Sequence, residues 1–108
     1  MRRTPAVAVF QAIADPTRRA ILDMLLDGER TVGEIAERFS VSRPAVSKHL
    51  RVLRSARLVR ARRAGRQRFC ALDPEPLRTI DDWLESYRRE WQSRLARLKW
   101  FIENDVTK

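Results

Sequence analysis

The sequence predicts a mainly α-helical domain with one small β-hairpin, and three observations predict it. Apolar residues recur at helical spacing in five stretches, most of them opened by a capping residue. Between Leu58 and Leu72 the period changes from about 3.6 to 2 around an Ala64-Gly65 step. Between Glu37 and Asp73 there is no acidic residue, while eleven basic ones cross both the fourth helix and the hairpin: Arg38, Arg43, Lys48, Arg51, Arg54, Arg57, Arg60, Arg62, Arg63, Arg66 and Arg68. A folded surface with that much uncompensated charge is built to meet a polyanion.

Thr4-Pro5 reads as an N-cap followed by proline at the first helical position, with Val9, Phe10 and Ile13 on one face of a short helix. Asp15-Pro16 repeats the signal. The second helix carries Ile21, Leu22, Leu25 and Leu26 as its stripe and stops at Gly28. Thr31 with Glu34 three residues on is a capping box for a short third helix that turns Ile35, Ala36 and Phe39 inward. Ser40-Val41-Ser42 forms the next turn, and Ser42 caps a fourth helix with Pro44 in its first turn. There Val46, Leu50 and Leu53 share one face, and Pro44, Ser47, Lys48, Arg51 and Ser55 occupy the opposite arc.

Leu58 to Arg62 and Gln67 to Leu72 read as two strands, with Gly65 supplying the positive φ of the turn. Alternation predicts Arg60, Arg62, Arg66 and Arg68 on the solvent face, and Val59 and Phe69 inward. Asp73-Pro74 opens the last helix. Its apolar positions are Leu77, Ile80, Trp83, Leu84, Tyr87, Trp91, Leu95, Leu98, Phe101 and Ile102. A helix from Pro74 to Ile102 is about 43 Å long at ~1.5 Å per residue, more than a small domain can cover. The economical solution is a two-fold dimer. We expect one domain over residues 1–108, with 74–103 as its C-terminal dimerisation helix. Phe10, Ile80, Trp83, Leu84, Tyr87, Trp91, Leu95 and Leu98 are the expected interface.

The 108 residues suffice for one modest core. Residues 1–72 hold 16 basic and 6 acidic side chains, and residues 73–108 hold 7 and 8, so the basic character belongs to the first two-thirds. Twenty Arg against three Lys fits codon bias, but such bias does not remove carboxylates from a long stretch. Cys70 is the only cysteine, which excludes an intrachain disulfide and fits a reducing cytoplasm. No apolar run reaches the ~18–20 residues of a membrane span, and the N-terminus does not read as a signal peptide.

The third and fourth helices, Thr31 to Leu50, form a helix-turn-helix pattern, with the basic hairpin as its wing. On this reading Ser42, Arg43, Pro44, Ser47, Lys48 and Arg51 approach the major groove. Either Arg43 or Lys48 reads guanine edges. Arg60, Arg62, Arg63, Arg66 and Arg68 contact phosphates. Ala14-Asp-Pro-Thr-Arg-Arg-Ala-Ile-Leu22, then Ser42-Arg-Pro-Ala-Val-Ser-Lys-His-Leu-Arg-Val-Leu53, then Leu58-Val59 resemble the ArsR/SmtB family of bacterial winged-helix repressors. The resemblance covers roughly residues 5–75 in motif and the rest in layout. It implies a homodimer, joined by its first and last helices, that binds an imperfect palindrome in a promoter and blocks transcription. Two departures stand out. Arg57 replaces a glycine of the family pattern, which implies about 1 kcal/mol of strain if its backbone is left-handed. The metal-sensing members carry cysteines where Thr31 and Gly33 stand, and others use histidine on the last helix, which has none here.

One Cys and one His cannot furnish a zinc or arsenic site, so no metal and no cofactor is expected. Asp81, Asp82, Glu85 and Glu90 read as a solvated face. His49 reads as a half-buried imidazole bonded to a neighbouring helix before it reads as a DNA contact. Cys70 reads as packing before a thiol switch. Trp83, Trp91 and Trp100 read as interface core before the lining of a small-molecule effector pocket. Arg18 and Arg19 either contact phosphate or pair with Asp15 or Asp23. No catalytic set or phosphate-cradling glycine loop is present, so an enzyme is not expected. The competing class is a protein-interaction module docking through the aromatic last helix, and the eleven unopposed charges argue against it. RNA binding lacks the stacking aromatics of a single-strand platform.

Overall fold

The structure, a computed structural model, describes residues 5–105. Helix α1 (Ala6–Ile13) is followed by α2 (Pro16–Leu25), strand β1 (Arg30–Thr31), α3 (Val32–Phe39), α4 (Arg43–Ser55), β2 (Val59–Ala64), β3 (Gln67–Leu72) and, after a 3-10 turn (Glu75–Leu77), the long α5 (Arg78–Asp105). This is a winged helix-turn-helix.

The second and third N-caps form as read. The Asp15 carboxylate accepts from the Arg18 amide at 3.0 Å, and Pro16 sits at the first helical position. Thr31 and Glu34 close both halves of a capping box, at 3.1 and 2.8 Å. At the first helix the structure differs: Pro5 is itself the N-cap residue, and Thr4 lies outside the described residues. At the C-terminal end of helix α1 the Ala14 amide donates to Gln11 O at 3.2 Å, and two arginines of α2 supply further donors to its last carbonyls. Arg18 donates to the Ala12 and Gln11 carbonyls at 2.6 and 2.9 Å, and Arg19 donates to Ile13 O at 2.7 Å. The Asp-Pro-Thr-Arg-Arg block thus starts one helix and finishes another.

The core is wholly apolar. Val9 and Ala12 of α1, Ile21, Leu22 and Leu25 of α2, Ile35 and Ala36 of α3, and Val46, Leu50 and Leu53 of α4 close on Leu58, Val59 and Cys70 at the base of the hairpin. Leu26, expected on the α2 stripe, is 70% exposed; it is the C-cap residue, still in α conformation, and its side chain falls outside the buried set of Ile21, Leu22 and Leu25. Phe39 and Leu77 are half-buried against the core.

Helix α4 ends in a Schellman motif. The Leu58 amide donates to Leu53 O and the Arg57 amide to Arg54 O, both at 2.9 Å, with Arg57 at φ 62°. The backbone here is the left-handed one that glycine adopts freely, and Arg57 occupies it under strain. We expect Arg57→Gly to raise the unfolding free energy by about 1 kcal/mol, read from the shift of the urea midpoint at constant slope. An unchanged midpoint would show that the motif's hydrogen bonds and the buried Leu58 already absorb the cost.

The sheet has three antiparallel strands in the order β1-β3-β2, one more than the expected hairpin, because Arg30 and Thr31 pair with Cys70 and Phe69. Two residues carry no readable alternation. Ala64 pairs with Gln67, leaving Gly65 (φ +63°) and Arg66 as the two-residue loop.

The register corrects the expected faces. Arg60 and Arg62 lie opposite Ala71 and Phe69, whereas Arg63 lies opposite Arg68 on the face of Val59 and Cys70. Phe69 is therefore not inward with Val59. It is half-buried, and the Arg62 guanidinium stacks 4.6 Å above its ring.

Helix α5 begins at Arg78 rather than Pro74, because Asp73 accepts from the Glu75 amide and the first turn is 3-10. Its 28 residues span about 42 Å at ~1.5 Å each. The radius of gyration is 19.5 Å, against roughly 13 Å for a compact chain of this length. The excess is α5, which leaves the body after packing its first turns on α1.

Candidate nucleic-acid interface

Ser42 caps α4 by accepting from the Ala45 amide at 3.2 Å, and Pro44 pre-sets the first turn. These two residues aim the helix. Its buried seam rests on α2 and α3. The opposite arc presents Ser42, Arg43, Pro44, Lys48 and Arg51 to solvent, with Ser47 half-buried among them. Among the described residues Arg43, Lys48 and Arg51 make no ion pair, and neither do Arg63, Arg66 and Arg68 of the wing.

The wing arginines fall into two sets, a division that sequence reasoning missed. Arg62 donates to both oxygens of Glu29, at 3.0 and 2.6 Å, and these bonds hold the Glu29 carboxyl below the usual carboxylate range. Arg60 pairs with Asp73 at 2.9 Å. Both carboxylates lie outside the acid-free stretch, one on each side of it, so the one-signed run hid them. Arg63 and Arg68, on the other face, and Arg66 in the loop remain uncompensated.

An open cleft of about 330 Å³ separates the start of α3 from α4 and the wing. Thr31, Val32, Gly33, Arg43, Ser47, Arg63, Arg66, Gln67 and Arg68 line it. Gly33 is the seat of Arg43: a Cβ there would stand 2.7 Å from Arg43 Nη2 and 3.2 Å from Cζ. Thr31 and Gly33 thus serve as a helix cap and a guanidinium seat. Among the described residues no group of three or more His, Cys, Asp or Glu gathers to hold a metal ion.

His49 faces α2, with Nδ1 3.5 Å from Arg18 Nη1 and 4.0 Å from Asp15 Oδ2. It ties α4 to the α2 cap. Cys70 is fully buried, and burial raises its thiol pKa despite the positive fields of Arg68 and Arg54. A buried neutral thiol is packing.

The residues expected at a dimer interface divide by position. Phe10, Ile80 and Leu84 are half-buried within the protomer, and the Phe10 ring meets Trp83 edge-on at 5.5 Å. Trp83, Tyr87, Trp91, Leu95 and Leu98 form an exposed row that continues to Ile102. Trp100 sits about half a helical turn away from that row, given ~100° per residue. Among the described residues no helix is long and apolar enough to cross a membrane.

The geometry is that of a winged helix-turn-helix DNA-binding domain. The comparisons with known proteins make the class specific. Residues 15–61 match the model for the bacterial regulatory proteins of the arsR family. The transcriptional repressor SdpR of Bacillus subtilis is 40% identical over 79 residues, covering 73% of this chain and 88% of that one. The HTH-type transcriptional regulator Rv2034 of Mycobacterium tuberculosis is 44% identical over 96 residues, covering 89% and 87%. Among solved structures, the ArsR family transcriptional regulator RHA00566 superposes with a TM-score of 0.71 at 39% identity, over 81% of this chain and 90% of that one. The chain belongs to the ArsR family: it is a DNA-binding transcriptional regulator and not an enzyme.

Proposed function

We propose that the protein is a homodimeric cytoplasmic repressor that binds a palindromic promoter site and takes its signal from something other than a transition metal. The observation that carries this reading is the uncompensated cationic arc of α4 together with the ion-pair-free arginines of the wing. Residues 1–108 act as one domain, with α5 as the dimerisation helix. The similarity to a named repressor supports the direction of control. The metal reading is disfavoured by the absence of cysteines at Thr31 and Gly33.

Ser42, Arg43, Pro44, Ser47, Lys48 and Arg51 approach the major groove. Lys48 is the better placed reader of guanine, because Arg43 lies back on Gly33. The exposed row of α5, with Phe10, Ile80 and Leu84 beneath it, pairs with its twin across a two-fold axis and sets half-sites about one helical turn apart, ~10 bp.

The test is selection of bound sequences from a random duplex pool at about 150 mM salt, where purely electrostatic binding is suppressed. An enriched palindrome supports the reading. A pool that shows no enrichment overturns it in favour of a partner-docking module.

The two sets of wing arginines predict different salt behaviour. Arg66→Ala should lower the slope of log K against log salt by about 0.9 per site on every sequence. Arg62→Ala should change it by much less, since Glu29 already compensates that charge. Equal losses in the two variants, read by fluorescence anisotropy across a salt series, would show that Arg62 leaves Glu29 for phosphate.

A further inference from the structure

We infer that the cleft between α3, α4 and the wing is an oxyanion site that takes one phosphate group, with Arg43 as its principal ligand and Gly33 as the residue that positions it. The inference rests on the DNA-binding reading only for the source of that phosphate. Four guanidinium groups, Arg43, Arg63, Arg66 and Arg68, line one cleft with Ser47 and Gln67, and no carboxylate lines it. Like charges gathered around one cavity repel one another and spread unless an anion is to sit between them.

The partition of the wing makes the arrangement selective. Each arginine on the Phe69 face, Arg60 and Arg62, has its carboxylate, Asp73 and Glu29, while the pair on the opposite face, Arg63 and Arg68, has none. One side of the ribbon is neutralised within the chain. The other is left for an anion from outside it.

Gly33 supplies an independent observation. An exposed arginine ordinarily extends into solvent, yet Arg43 lies over the first turn of α3 in the space a Cβ would fill. That position holds the guanidinium at the wall of the cleft that Arg43 lines, and a planar guanidinium can match two phosphate oxygens with two parallel N–H donors. About 330 Å³ has room for a phosphate with several waters, each taking ~30 Å³.

The experiment is a titration of the full chain with inorganic pyrophosphate, at ionic strength held constant with sodium chloride, followed by ¹H–¹⁵N correlation spectra. The expected result is saturable shifts at the Gly33 and Gln67 amides and at the Nε–H groups of Arg43 and Arg68. Arg43→Gln should weaken the apparent affinity about tenfold. Gly33→Ala should weaken it about fivefold while leaving the fold intact, because alanine is the better helix former and only the far end of a flexible side chain must move. Arg54→Gln should leave it unchanged. Shifts that grow linearly and equally on all exposed arginines, or a Gly33→Ala protein that binds like the wild type, would overturn the site.

Repeating the titration on the complex with its selected duplex separates the sources. A response that vanishes assigns the cleft to a DNA backbone phosphate. One that persists assigns it to a free phosphate compound. A saturable site in a protein that selects no DNA sequence would refute the repressor reading alone.

Discussion

Trp91→Glu combined with Leu95→Glu is expected to produce a folded monomer that binds a two-half-site operator about 10²- to 10⁴-fold more weakly than the parent. The two side chains are 52% and 63% exposed in the single chain. Soluble monomers rarely leave so continuous an apolar row in water, and four further members of it, Trp83, Tyr87, Leu98 and Ile102, are exposed as well. A carboxylate at the centre of a packed two-fold interface meets its own symmetry mate, so each substitution acts twice.

The winged-helix body should be untouched, since its buried core runs from Val9 to Cys70 and the last apolar side chain packed against it is Ile80. Sedimentation should show one chain instead of two, and far-UV circular dichroism should show the helices of the body retained. Binding to a single half-site should stay within a few-fold of the parent, because each recognition helix still carries Lys48 and Arg51. On the proposed dimer the loss belongs to the link between the half-sites, where the second contact is made at the effective concentration that the twin chain provides. A variant that remains dimeric, or a monomer that keeps full operator affinity, would remove α5 from the role assigned to it.

What the sequence made legible follows from the range of each interaction. Caps are local, so Asp15, Thr31 and Ser42 could be read from three or four consecutive residues, and all three accept the hydrogen bond expected of them. The helix-turn-helix seam at Val46, Leu50 and Leu53 is a periodic signal within one helix, and it is buried as read. Other features depend on partners distant in sequence. Arg62 finds Glu29, 33 residues earlier, and β1 pairs with a strand about 40 residues later. The faces of the wing depend on register, and one residue of offset exchanges them, which is how Phe69 came to lie beneath Arg62. The seat of Arg43 was invisible for another reason. Gly33 carries no side chain to read, and its meaning appears only when the guanidinium is found above it.

Leu53→Ala is expected to lower the unfolding free energy by about 2–5 kcal/mol, while Leu26→Ala, at a residue the same helical periodicity would also bury, should change it by less than about 0.5 kcal/mol. The contrast is one of position. Leu53 is fully buried at the third residue from the end of α4, where its carbonyl accepts the Leu58 amide and Leu58 is buried in the same cluster. Truncation opens a cavity between the recognition helix and the base of the wing, and surrounding side chains in a close-packed core relax only partly into it. Leu26 is the C-cap residue of α2 and has most of its surface in water, so its removal leaves no cavity. Urea unfolding followed by tryptophan fluorescence measures both, in the parent and in the monomeric α5 variant so that dimer dissociation does not enter. Comparable losses at the two sites would mean that Leu26 is covered in the folded state, most directly by the partner chain, and should then disappear in the monomer. A large loss confined to Leu53 carries a functional corollary. The seam that stabilises the domain also sets the angle between α4 and the wing, so Leu53→Ala should weaken DNA binding at temperatures where the protein is still folded, without any change to a residue that touches DNA.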